Sequence, residues 1–156
     1  LIRHSLADQF PDGTPIGGGD GSGFTLDSCE KQRVLGKEGI EQSIRMGQEF
    51  RKRKIPVAEV LSSIWCRCQE TAGYAFGQYK VASFLNSTFQ SAYYKNQPKQ
   101  LKALREYVSN FNDKKRNLVL TTHYSIITAI TDASPGQGTL VITDKKFNVL
   151  GTINID

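Results

Sequence analysis

Apolar residues recur at helical spacing over residues 37–54, where Ile40, Ile44, Gly47 and Phe50 share one face, and Pro56 closes the predicted helix. Residues 57–62 form a short apolar run of the kind that fills a buried strand. A second helix is predicted over 65–76 and ended by Gly77, and a short strand near 81–85. Residues 97–111 carry Leu101, Leu104, Val108 and Phe111 on one stripe and predict a third long helix. A strand over 117–121 leads into a short helix over 124–131. Strands over 139–143 and 147–155 close the chain around a turn at Asp144-Lys145-Lys146. Residues 86–96 show no periodicity. Strands alternating with helices predict an α/β fold, a three-layer α/β/α sandwich with a largely parallel central sheet.

Two stretches break this alternation. Residues 1–3 read as the end of a buried strand, although strands run to about five or six residues. The expectation is that this strand is truncated and that residues precede Leu1, which could include a signal peptide. Residues 5–34 form a long irregular stretch containing Pro11-Asp12-Gly13 and the run Gly17 to Gly23. Loops of this length inside a domain are usually functional, and this one is expected to be a mobile cover over a site. Its glycines match neither a P-loop nor a G-x-G-x-x-G register.

The chain of 156 residues suits a single domain, with no internal repeat, and no apolar run approaches the ~20 residues of a membrane span. The net charge of +5 favours anionic ligands. Nucleic acid is not the expected partner. The basic run Arg51 to Lys54 sits at a predicted helix end, where cations suit the helix dipole. Three cysteines, Cys29, Cys66 and Cys68, fit no zinc spacing. Cys66 and Cys68 would point about 200° apart on a helix. Either Cys29 pairs with one of them in an oxidising compartment, or all three are buried thiols; the sequence leaves both open.

The only two histidines, His4 and His123, each follow a predicted strand. In open α/β sheets ligands bind beyond the carboxyl ends of strands, so the two could meet in one site. Arg67 follows a third strand and lies in the first turn of a helix, where its charge opposes the helix dipole and suggests a nearby anion. Its guanidinium, like that of Arg3, suits two-point contact with phosphate oxygens.

These residues resemble the histidine phosphatase superfamily, in its phosphoglycerate-mutase-like branch. Leu1-Ile2-Arg3-His4 resembles the Arg-His signature, and Ser63 to Ala72 resembles the second signature, leading through Arg67 to Thr71-Ala72. Thr122-His123 resembles the late Thr-His motif, and Arg33-Val34-Leu35 with Gly39 and Gln42 resembles the stretch between them. Asp27, Cys29, Gln32 and Arg33, with Trp65 to Cys68, look most like small exported members, some of which act on phosphorylated lipopolysaccharide core.

The resemblance implies a metal-independent, cofactor-free phosphatase. His4 is the nucleophile that becomes phosphohistidine, and Arg3, Arg67 and His123 hold the phosphoryl oxygens. Arg33 and Tyr124 are candidate substrate contacts. The expected partner is a phosphorylated small molecule or sugar phosphate, and the expected location is periplasmic or secreted, with the cytoplasm as the alternative. The oligomeric state is left open.

Like-charge repulsion from the arginines is expected to keep His4 neutral. Three features depart from the pattern. Ser5 and Tyr124 replace commoner small residues, and 85–89 lacks the glutamate that many relatives use as proton donor. Asp27 is the preferred replacement, ahead of Asp8 and Glu70. Without a good acid, substrates with acidic leaving groups should react best. Two other readings compete: a protein phosphohistidine phosphatase, and a module that binds a phosphorylated ligand without turnover.

Overall fold

The computed structural model describes all 156 residues. The elements run β1 (Ile2–Arg3), α1 (Lys37–Lys52), β2 (Val57–Ser62), α2 (Cys66–Phe76) and β3 (Lys80–Val81). They continue through a 3-10 turn (Ser83–Leu85), α3 (Ser91–Tyr94), α4 (Gln97–Asn110), β4 (Asn117–Thr122), α5 (Tyr124–Thr131), β5 (Thr139–Thr143) and β6 (Val149–Asn154). One six-stranded sheet has the order β3-β2-β4-β1-β5-β6. Its first four strands are parallel, and β5 and β6 add an antiparallel edge.

Alternation along the strands builds the three layers. Val60 and Val119 join Ile2 and Leu140 on the face covered by Met46 of α1 and by Ala72 and Ala75 of α2. Their neighbours Leu61 and Leu120 turn to the opposite face, against Leu104 and Val108 of α4 and Ile126 and Ile130 of α5. The expected sandwich is therefore present.

Several expectations shift locally. Helix α1 ends at Lys52 rather than 54, because the chain reverses there: Lys54 takes a φ of 54° and the Ile55 N–H bonds back to the Phe50 carbonyl (2.9 Å). Its buried face is Gly39, Ser43, Met46 and Gly47, and Ile44 is exposed. The reason is close backbone approach. A Cβ on Gly47 would stand 2.0 Å from the Ala75 carbonyl oxygen of α2, and one on Gly39 would stand 2.0 Å from the Leu6 carbonyl oxygen. Small residues, not large apolar ones, mark this interface. The strand expected near 81–85 is two residues of β3 followed by the 3-10 turn. That expected over 147–155 is Val149–Asn154, with Phe147 in the turn at φ 63° and its ring buried in the core.

Gly47→Ala gains about 1 kcal/mol in helix propensity. It must also force α1 and α2 apart, and overpacking of this kind exceeds that gain. A net loss of about 2 kcal/mol is expected, seen as a fall in Tm of roughly 4–8 °C by thermal denaturation. An unchanged Tm would mean the two helices separate freely.

Residues 5–34 are tied down at several points. Gln9 bridges Pro15 and Val34, the Gly21 N–H donates to the Lys31 carbonyl (2.7 Å), and a Cys29–Cys66 disulfide joins the stretch to the start of α2. The expected mobile cover is thus a pinned one. A cavity of about 740 Å³ lined by residues such as Leu1, Phe50, Leu118, Val141 and Ile155 lies at the far end of β1 and contains none of the residues singled out as chemistry.

Candidate functional site

Strands β2, β4 and β1 are neighbours, and all three point the same way. Their carboxyl ends therefore deliver Ser63, His123 and His4 to one place. The register is tight: Arg3 is level with Thr122, the His4 N–H bonds the Thr122 carbonyl (3.1 Å), and the Ser63 N–H bonds the Thr121 carbonyl (3.0 Å). The two imidazoles lie edge to face with centroids 5.6 Å apart, and only 2% of His4 and 3% of His123 are exposed.

His4 is oriented by its own backbone. Nδ1 lies 2.9 Å from the Ser5 carbonyl oxygen, which can only accept, so Nδ1 carries the proton and Nε2 keeps its lone pair. Facing that lone pair is the Arg67 Nε–H at 3.2 Å. Burial is the main reason the His4 pKa is driven well below its ordinary value, with Arg67 second. Like-charge repulsion was the expected cause; it contributes, but desolvation leads. Ser5, which stands where a small residue is commoner, is fully buried. Its N–H donates to Thr71 Oγ1 (2.9 Å) and its hydroxyl accepts from Ser43 (2.8 Å). The Thr71 hydroxyl in turn holds the Arg67 carbonyl (2.7 Å). Gln42 Oε1 takes the Leu6 N–H (3.1 Å), so the residues after His4 are fixed by α1 and α2 together.

His123 caps α5 and packs edge-on against Trp65 at 5.3 Å. Its Nε2 lies 2.8 Å from Ser63 Oγ. The same hydroxyl donates to Asn86 Oδ1 (3.3 Å) and accepts the Trp65 N–H (3.2 Å), so the edge of the ring is held by a fixed group. Burial, then Arg67 and His4, push the His123 pKa down as well. Cys68 Sγ lies 3.4 Å from His123 Nε2, but burial pushes this thiol up to about 12, so it is a packing group and not a nucleophile. The remaining cysteines form the disulfide, which decides between the two pairings considered.

Three guanidiniums converge on the histidines. Arg67 is buried at the start of α2. Arg3 is held by Pro135, whose carbonyl accepts from Nη1 (2.8 Å), and by the Tyr124 ring, 5.3 Å from the guanidinium carbon. Arg33 joins from the long loop, its Nη1 donating to the Ala7 carbonyl (3.4 Å). Burial lowers the pKa of both Arg3 and Arg33, and for Arg33 the next cause is the neighbouring Arg67. The Nε–H groups of Arg3 and Arg33 are buried without an acceptor. Leaving such charged donors unsatisfied is unfavourable by about 1–3 kcal/mol each or more. Tyr124 sits at the exposed rim, its hydroxyl near Ser134 (3.3 Å).

Asp27 and Asp8 are exposed, and Glu70 is occupied by the Leu35 N–H (2.9 Å). The carboxylate in the site is Asp20, which sequence reasoning missed. One of its oxygens takes Arg67 Nη1–H at 3.0 Å and the Arg33 backbone N–H at 2.8 Å, and the other takes Gln90 Nε2–H at 3.2 Å. Its side chain is 1% exposed. The anion inferred beside Arg67 from the helix dipole is thus part of the chain itself. Of the aromatic residues over 84–94, Tyr93 packs on Trp65, Phe84 on the core, and Phe89 stands 82% exposed.

No family model matches the sequence, and no curated protein matches it. Solved structures do match in shape. The chain is similar to the protein histidine phosphatase SixA complexed with tungstate (TM-score 0.61, 13% identity, covering 98% of this chain and 94% of that one). It is also similar to TTHB049 from Thermus thermophilus (0.63, 16%, covering 100% and 98%) and to a phosphoglycerate mutase from the same organism (0.57, 18%, covering 100% and 98%). The likeness runs over nearly the whole length of each chain, and the fold is phosphoglycerate-mutase-like.

Proposed function

We propose that this chain is a histidine phosphatase that hydrolyses phosphomonoesters through a phosphohistidine on His4. The observation that carries the reading is the pairing of a buried, neutral imidazole whose Nε2 lone pair faces the site with two guanidiniums whose Nε–H donors have no acceptor. A phosphoryl group supplies what both lack: an electrophilic phosphorus and oxygens for the donors. Phosphoryl transfer needs positioning and charge stabilisation more than covalent machinery, and these groups provide both.

In the first step the Nε2 lone pair attacks phosphorus, the P–O bond to the leaving group breaks, and its electron pair departs with that oxygen. Arg67 turns its Nε–H from His4 to a phosphoryl oxygen as the lone pair is used. Arg3, Arg33 and His123 take the others. Water then attacks phosphorus, the P–N bond breaks, the pair returns to Nε2, and the protons of the water leave with the inorganic phosphate or pass from it to solvent. The Nδ1–H bond to the Ser5 carbonyl supports the positive charge that the ring carries in between. The positive charge that the chemistry needs comes from the guanidiniums, so the proposed activity is independent of metal.

The sugar phosphates handled by small exported members of the superfamily are the proposed substrate class, with Tyr124 at the rim as a surface for a ring. The Cys29–Cys66 disulfide supports an oxidising compartment, the periplasm or outside the cell, over the cytoplasm. A second reading, a protein phosphohistidine phosphatase, is favoured by one observation. The site's carboxylate is fully engaged by three donors, and a phosphohistidine leaving group departs without a strong acid.

The test is turnover of p-nitrophenyl phosphate in EDTA, with acid and alkaline quench of the labelled enzyme. Turnover that survives chelation and a phosphoenzyme that is acid-labile but alkali-stable are expected. Loss of turnover in EDTA, or an acid-stable phosphoenzyme, rules the reading out. Phosphoaspartate would be labile at both extremes.

A further inference from the structure

Asp20 comes from a long segment whose sequence carries no periodic signal. It nevertheless has the most fully satisfied carboxylate of the site, with three donors on two oxygens. It shares Arg67 with His4: Nη1 of that guanidinium is on Asp20 while Nε is on the attacking nitrogen. Any phosphoryl group that reaches His4 must also contact this guanidinium. Phosphate and carboxylate would then share one cation in a desolvated place, where like charges repel more strongly than in water.

Charge counting points the same way. Arg3, Arg33 and Arg67 bring three positive charges, Asp20 removes one, and two remain. That remainder matches a phosphomonoester or inorganic phosphate dianion. Without Asp20 the site would over-bind the product.

We infer that Asp20 sets how tightly the site holds phosphate, tempering the guanidinium cluster so that product leaves; the inference rests on the phosphoryl-binding reading above. The fold keeps the carboxylate in place. The Cys29–Cys66 disulfide ties its loop to the residue preceding Arg67, and the Gly21 N–H bonds the Lys31 carbonyl. On its other side, Gly17, Gly18 and Gly19 lie in open space, where added side chains would meet nothing, so these glycines are not needed for packing. They lead the chain freely into the tethered turn.

The experiment measures inorganic phosphate binding by calorimetry at pH 8, alongside thermal denaturation of each variant. Asp20→Asn keeps the Oδ1 acceptor of the Arg33 N–H and of Arg67, removes the charge, and makes the second position a donor, which the otherwise unpartnered Gln90 Oε1 accepts when that amide turns over; its phosphate Kd is expected to fall about tenfold. With p-nitrophenyl phosphate, kcat and KM should fall together, the pattern of slowed product release, which a merely structural role would not produce. Gln90→Glu adds a charge beside Asp20 and should raise Kd by a similar factor; it decides the matter if Asp20→Asn does not fold. Phosphate binding that is unchanged or weaker in Asp20→Asn, or tighter in Gln90→Glu, overturns the inference and leaves the phosphatase reading intact as long as the wild-type protein binds phosphate. If neither wild type nor Asp20→Asn binds phosphate, both fall. Binding that appears only in Asp20→Asn supports the inference.

Discussion

Replacing His4 by alanine is expected to lower kcat by on the order of 10⁴- to 10⁶-fold, the scale seen when a covalent nucleophile is removed. No second group stands ready to take over. His123 Nε2 is engaged by Ser63, and the nearby Cys68 thiol is held protonated by burial. Water attack assisted by the guanidiniums alone is what remains. Phosphate binding should survive, because Arg3, Arg33 and Arg67 are untouched and the Arg67 Nε–H is released from His4. The informative result is therefore a split: turnover lost, phosphate affinity unchanged or higher. Steady-state kinetics with p-nitrophenyl phosphate and calorimetry on the same preparation read the two halves. Residual activity above a few per cent would show that another residue is the nucleophile. Loss of phosphate binding together with turnover would show that His4 supports the pocket's shape rather than its chemistry.

Much of this arrangement was legible in the sequence, and the reason is physical. The strands ending at Ser62 and Thr122 are apolar runs of ordinary length and Leu1-Ile2-Arg3 reads as the end of a third, and polar or charged residues follow each of them. A parallel sheet places such residues together at one edge, so His4, His123 and Arg67 could be gathered without coordinates. Arg33 was readable only through its resemblance to a family motif, and the structure brings it beside Arg67.

Asp20 was not legible. The long stretch holds four aspartates, Asp8, Asp12, Asp20 and Asp27, in a Gly-rich segment with no period, and only tertiary contacts select which one turns inward. The disulfide could have narrowed the choice, had the cysteine pairing been known, because a bond from Cys29 to Cys66 brings the loop over the start of α2. The buried face of α1 was misread for a different reason. Hydrophobic periodicity looks for large apolar residues, whereas close approach to neighbouring backbone, that of Leu6 at Gly39 and of Ala75 at Gly47, selects small ones.

The same burial that keeps the His4 imidazole neutral should make the protein labile to acid. Both imidazoles have pKa values well below the ordinary value in the folded state, His4 and His123 alike, chiefly through desolvation. The unfolded chain recovers a histidine pKa of about 6.5 and so binds more protons than the folded chain below that pH. Stability is thus complete above pH 6.5 and is lost as pH falls from there toward the folded-state values. Each imidazole contributes a slope of about 1.4 kcal/mol per pH unit, and the pair about 2.7, a large fraction of the about 5–15 kcal/mol that holds a typical domain folded. The charges facing the rings reinforce the trend. Arg3, Arg33 and Arg67 all oppose imidazolium formation.

Exposed carboxylates cannot mimic the effect. Asp12, Glu49, Asp113 and Asp144 are held below the usual carboxylate range by their hydrogen bonds, so they are lost only at lower pH. Urea unfolding at intervals from pH 8 to pH 4.5 should give a flat stability above pH 7 and a steep decline below 6.5, with about half that slope in His4→Gln. A stability that holds level down to pH 5 would mean the rings accept protons in the folded state. His4 would then be an imidazolium over much of the working range, with no lone pair to offer to phosphorus.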